Sequence, residues 1–148
     1  MRGKKLAVCA AVFIILWLAL PVGAADIQVP ALSAENTRLE DGHMASMVKN
    51  GKPLDRLISY TPESPAFYAV AKLLSAPPDT KIHFSWFFVS QNQHVADVEL
   101  TNGSHGSNIY VYSTLTNNDN PWPQGSFKVE MFVGDRKEPD QIVDFDVE

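Results

Sequence analysis

The chain has 148 residues, with 12 lysines and arginines against 17 aspartates and glutamates, a net charge of −5 and one cysteine. That length suits one domain with a core able to stand without crosslinks. No basic run follows Lys5, so the electrostatic footprint of a nucleic-acid or anionic-membrane binder is missing.

Residues 1–24 read as a cleaved export signal. Arg2, Lys4 and Lys5 open it, an apolar run extends from Leu6 to Leu20, and the small residues Val22 and Ala24 precede a cut placed after Ala24, with Ala25 as the runner-up. The run is short for a membrane-spanning helix, which takes about 20 apolar residues. The mature chain is therefore expected to be periplasmic or secreted and free of the membrane. Its nine remaining basic residues face 17 acidic ones, a charge of −8. Cys9 leaves with the signal, which takes disulfides, thiol catalysis and thiolate metal sites with it.

Residues 25–42 lack a sustained period and read as an N-terminal linker; residues 43–148 read as the domain. The first strand is expected to start in His43-Met44-Ala45-Ser46-Met47 and end at Asn50-Gly51. Lys52 to Pro65, with Pro53, Pro62 and Pro65, reads as connection. In Ala66–Leu74, Phe67, Ala69, Ala71 and Leu73 alternate with Tyr68, Val70 and Lys72. Flanking prolines at 65, 77 and 78 favour a strand over the helix that its composition would also allow.

Across Lys81–Val89, Ile82, Phe84, Trp86 and Phe88 fall on every second position, the period of a strand with one buried face. A fourth strand buries Ala96, Val98 and Leu100. A loop with Gly103 and Gly106 leads to the fifth, Asn108–Leu115, which sets Tyr110 and Tyr112 opposite Ile109, Val111, Ser113 and Leu115. After the Pro121-Trp122-Pro123 loop, Phe127, Val129, Met131 and Val133 mark the sixth strand. Val143, Phe145 and Val147 mark the seventh, with Asp144 and Asp146 outward. Seven short strands separated by turn signals predict an all-β, seven-stranded, immunoglobulin-like Greek-key sandwich with Trp86 at its centre.

The segments Ala76-Pro77-Pro78-Asp79-Thr80-Lys81-Ile82…Trp86-Phe87 and Trp122-Pro123-Gln124-Gly125-Ser126-Phe127-Lys128-Val129-Glu130…Phe145-Asp146-Val147 resemble a group of bacterial and archaeal exported immunoglobulin-like domains. In that group a tryptophan strand precedes a W-P-x-G-x-[YF]-x-V-E hairpin. The resemblance covers about Met44 to Glu148. It implies a seven-stranded sandwich and an interaction role, and little about activity. Phe127 stands where tyrosine is common in the group, so a corner-anchoring hydroxyl is not expected there.

No enzyme is expected. His43, His83, His94 and His105 lack the spacing of metal ligands, and His43, Met44 and Met47 do not share one strand face, so neither a metal nor another cofactor is assigned. Ser85 shares a face with His83, yet no nucleophile elbow is present. Asp97 with Glu99, and Asp144 with Asp146, read as solvated strand charge rather than a glycosidase pair. Trp86 reads as core.

Binding is assigned to Tyr68, Tyr110 and Tyr112, which share one outer face if the second and fifth strands pair, and to Trp122 in its proline loop. Phe87 and Phe132 form a second outward pair. The expected role is a non-catalytic binding or assembly module of the cell envelope with a protein or glycan partner, self-association being left open. A carbohydrate-binding module is the first alternative and would need the three tyrosines exposed and coplanar. A small hydrolase or metal protein is the second and would need a pocket in which His83 or His105 meets a carboxylate.

Overall fold

The computed structural model describes residues 34–148, so the segment read as an export signal, Cys9 and the first half of the segment read as linker lie outside the described residues. The strands are β1 (Arg38–Ala45), β2 (Val48–Lys49), β3 (Lys52–Pro53), β4 (Ser59–Tyr60), β5 (Ala66–Leu74), β6 (Lys81–Phe88), β7 (Gln93–Thr101), β8 (Ile109–Thr116), β9 (Gly125–Val133) and β10 (Gln141–Val147). They form a sheet of order β1-β5-β8, a sheet of order β4-β10-β9-β6-β7, and the small hairpin β2-β3.

Strict alternation in β5, β6 and β9 determines which side chains meet between the two larger sheets. Phe67, Ala69, Ala71 and Leu73 come from one sheet, and Ile82, Phe84, Trp86, Phe88, Phe127, Val129 and Met131 come from the other; all join one buried cluster. Small alanines on β5 leave room for the indole of Trp86 facing them. Rings fill the rest: Phe67 meets Phe145 edge-on at 5.0 Å, and Phe127 stacks on Phe145 at 5.3 Å. The Trp86 indole N–H donates across the gap to the Ser113 hydroxyl of β8 at 3.2 Å.

The first strand departs from expectation. It starts at Arg38 and buries Leu39, so part of the segment read as linker lies in the sheet. Its pairing with β5 shifts between Glu40 and His43, and Asp41 takes a φ of 58°. This bulge puts Leu39 and Met44, an odd number of positions apart, into the same core. A period-two reading cannot see such a strand. The chain then leaves the sheet after Ala45, and Asn50-Gly51 forms the tip of β2-β3 instead of ending β1.

The connection to Pro65 also contains structure. Ser59 and Tyr60 cross to the other sheet and pair parallel with Asp146 and Val147. Tyr60 is buried and donates its hydroxyl to the Ala45 carbonyl at 2.6 Å. Phe127 carries no hydroxyl, so here Tyr60 provides the phenol-to-backbone anchor.

Two stability measurements follow from this core. Ser113→Ala removes a single oxygen but leaves the indole N–H of Trp86 buried without an acceptor, so it is expected to cost about 1–3 kcal/mol in urea unfolding. Burial pushes the Tyr60 phenol up from its ordinary 10.0 to about 12. The folded state holds that proton more tightly than the unfolded chain. This stabilisation is therefore intact below about pH 10 and lost as pH rises towards 12. The difference in unfolding free energy between the parent and Tyr60→Phe should shrink across that window, which titrates Tyr60 apart from the other phenols and lysines.

Candidate functional site

β5 and β8 pair antiparallel, with Tyr68 opposite Thr114, Val70 opposite Tyr112 and Lys72 opposite Tyr110. All three tyrosines therefore share the outer face of the smaller sheet. They are not equally accessible: Tyr112 is 43% exposed, while Tyr68 and Tyr110 are half-buried. Ala45 of β1 lies beside Tyr68 in the ladder. Tyr110 and Tyr112 line an open cleft of about 750 Å³ together with Lys72 and with Asn50, Gly51 and Lys52 at the tip of β2-β3; Tyr68 does not reach it. Opposite β8 the cleft is bounded by Leu100, Thr101 and Asn102 where β7 ends, and among the described residues no carboxylate lines it.

Trp122 lies over the end of the core. Its ring stacks on Phe67 with centroids 4.1 Å apart, its indole N–H donates to the Ser64 carbonyl at 2.7 Å, and its backbone N–H donates to Pro62 at 2.8 Å. The indole N–H and one ring contact are thus engaged within the fold, and the residue is half-buried.

The outer face of the larger sheet holds a cluster that the sequence reading did not assemble. Asp97 Oδ1 accepts the Ser85 hydroxyl at 2.7 Å and lies 3.2 Å from His83 Nε2 and 3.0 Å from His94 Nε2. Ser85 pairs with Asp97 and Phe87 with His94, a register shift that puts an extra residue on β7. His94 and Asp97, three apart, reach one face because of that bulge, whereas strict alternation separates them. A polar turn at Gln91-Asn92-Gln93 followed by an abrupt change of phase was the available signal. Phe87 and Phe132, both half-buried, brace the imidazoles: Phe87 lies 5.3 Å from His94 and Phe132 lies 5.7 Å from His83, ring centre to ring centre.

This geometry meets the condition that a hydrolase or metal protein would need, since His83 does face a carboxylate, but its proton order is wrong for nucleophile activation. The serine donates to Asp97, not to an imidazole, and the Ser85 and His94 hydrogen bonds hold the Asp97 carboxyl below its ordinary range, which makes it a weaker base. Among the described residues, no three His, Cys, Asp or Glu side chains are arranged to hold a metal ion. His105 Nδ1 lies 3.2 Å from the Asn102 carbonyl, and the largely buried His43 lies 2.6 Å from that of Asp41. Asp146 accepts the Ser126 hydroxyl at 2.7 Å.

Asp97 also gives a pH dependence of defined sign. Its carboxyl is more acidic folded than the ordinary 3.8, so its contribution to stability is present above that value and lost as pH falls through the lowered folded value. Because the group is exposed the effect is small. Thermal unfolding between about pH 2 and 6 should show a shallower acid limb for Asp97→Asn than for the parent.

No protein-family model and no curated protein matches the chain. Among solved structures it is similar to an immunoglobulin-like protein from Pseudomonas aeruginosa, at 12% identity and a TM-score of 0.52, over 78% of this chain and 100% of that one. It also matches the Pseudomonas fluorescens alkylpurine DNA glycosylase AlkC, solved with DNA containing an abasic-site analogue, at 11% identity and a TM-score of 0.46, over 76% of this chain and 30% of that one. At these identities the likeness speaks for fold alone. With the two packed sheets, the first match shows an immunoglobulin-like β-sandwich.

Proposed function

We propose that the protein is a non-catalytic binding or assembly module of the cell envelope, exported by its N-terminal signal and carrying its partner site at the Tyr110–Tyr112 cleft. The leader-like residues 1–24 support export. The observation that carries the binding assignment is the cleft itself, where two tyrosines, one of them open to solvent, meet Lys52 and Lys72 with no carboxylate among the described residues, in a protein with an excess of acidic residues. Tyrosine contributes a flat apolar face and a hydroxyl, a composition suited to recognition rather than bond cleavage. Of the other residues assigned to binding, Tyr68 and Trp122 support the fold in this reading. The carbohydrate alternative loses support for its three-ring platform, because of the three only Tyr112 is exposed, while Tyr68 and Tyr110 are half-buried.

Capture from envelope extract with the mature chain, analysed by crosslinking and mass spectrometry, tests the assignment. A Tyr110→Ala, Tyr112→Ala variant should lose at least tenfold of the captured partner while keeping the parent's circular dichroism, and Asp97→Asn, on the opposite face, should capture as the parent does. Equal capture by parent and tyrosine variant would sink the cleft.

A further inference from the structure

The four edges of the two large sheets are protected unequally. An edge strand exposes unpaired backbone N–H and C=O groups, and proteins shield such edges with charge, proline, bulges or brevity. β1 carries Arg38, Glu40 and a bulge. β4 is two residues long. β7 carries His94, Asp97, Glu99 and a register shift. β8 has none of these. Its eight residues, Ile-Tyr-Val-Tyr-Ser-Thr-Leu-Thr, contain no charge and no proline, its register against β5 is continuous, and among the described residues it ends its sheet.

β8 also flanks an unfilled seam. The cleft runs between Asn108–Tyr112 and the end of β7 at Leu100–Asn102. Half-buried Val98, Leu100, Ile109 and Leu115 pack against the core along this side. A strand added about 4.8 Å beyond β8 would turn alternate side chains onto those apolar groups and the intervening ones outward. On the outward side wait Lys52 and Lys72, neither of which makes an ion pair among the described residues. The neighbouring acids have other partners: Glu40, opposite Lys72 in the ladder, pairs with Arg38 at 2.6 Å, Asp41 pairs with Arg56, and Asp55 accepts from the Ser46 backbone and hydroxyl.

We propose that β8 takes up an extended segment of a partner protein as an added strand, and that this segment alternates apolar residues with carboxylates. The assignment rests on the binding-module reading and names its partner class. Strand addition supplies affinity through backbone hydrogen bonds, the seam selects the apolar residues, and the two lysines select the acids. A second copy of β8 is the poorer occupant, because it is uncharged and brings no carboxylate to the lysines.

The probe is an eight-residue peptide alternating valine with glutamate, compared with one alternating valine with lysine, on the intact mature chain. Amide exchange should slow at residues 109–116 when the glutamate peptide binds, and the glutamate peptide should bind at least tenfold more tightly than the lysine peptide. Lys52→Glu with Lys72→Glu should reverse that order. N-methylating the glutamate peptide along one backbone edge should abolish binding, and along the other should leave it intact, a readout independent of any change to the protein. Protection at another edge, equal binding of the two peptides, no binding of either at millimolar concentration, or tolerance of both methylation patterns would overturn the proposal. So would concentration-dependent protection of β8 without peptide, which would assign the edge to a second copy. If these tests fail while the tyrosine variant still loses its envelope partner, the binding module stands and only the added strand falls.

Discussion

Trp86 is the side chain about which the two sheets are spaced. Its indole fills the gap opposite the alanines of β5, and its N–H reaches the hydroxyl of Ser113 on the opposite sheet. That one polar contact restricts where β8 can lie relative to β6, since a displaced β8 would leave a buried donor and a buried hydroxyl unpaired. Because Ser113 lies two residues from Val111 and one from Tyr112, the same contact orients the strand that borders the cleft. The outward position of Tyr112 follows from the inward position of Ser113 by strand alternation.

Two bulges divide the surface into unlike halves. The one in β1 lets Leu39 and Met44 share the core and turns Asp41 outward to pair with Arg56. The one between β6 and β7 gathers His83, His94 and Asp97. The outer face of the larger sheet carries Asp97, Glu99, Glu130, Asp144 and Asp146, and Lys128 there is held by Glu130 at 2.7 Å. Near the smaller sheet, Lys52 and Lys72 line the cleft, while Arg56 is held by Asp41.

What could be read from the residues depended on phase. β5, β6, β8, β9 and β10 alternate without interruption, and their faces were legible down to Trp86 inward and Tyr110 and Tyr112 outward. The prolines around Ala66–Leu74 were enough to separate strand from helix there. β1 was not legible, because its bulge breaks the period between Leu39 and Met44. β4 was not legible either, being two residues whose pairing depends on Asp146 and Val147, more than eighty positions away. The cleft was half legible: the tyrosines followed from strand alternation, but Lys52 and Asn50 arrive on a hairpin whose docking no local pattern encodes. The His83–Asp97–His94 group needed a register shift that sequence spacing alone does not reveal.

The short strand β4 has a mechanical consequence. It lies parallel to β10, held by the Asp146 N–H on Ile58 at 3.1 Å and the Glu148 N–H on Tyr60 at 3.0 Å. If the two ends of the described segment are pulled apart, parallel neighbours slide lengthwise past each other. The two backbone bonds are then loaded in shear and must yield together instead of one after another. The Gln141 side chain adds a second fastening near the start of the domain, reaching the Leu39 carbonyl at 3.2 Å and the Gly42 N–H at 3.1 Å. Because β1 and its ladder with β5 precede β4 in the chain, a pull on the start of the segment loads that ladder and the Gln141 fastening before it reaches the parallel clamp.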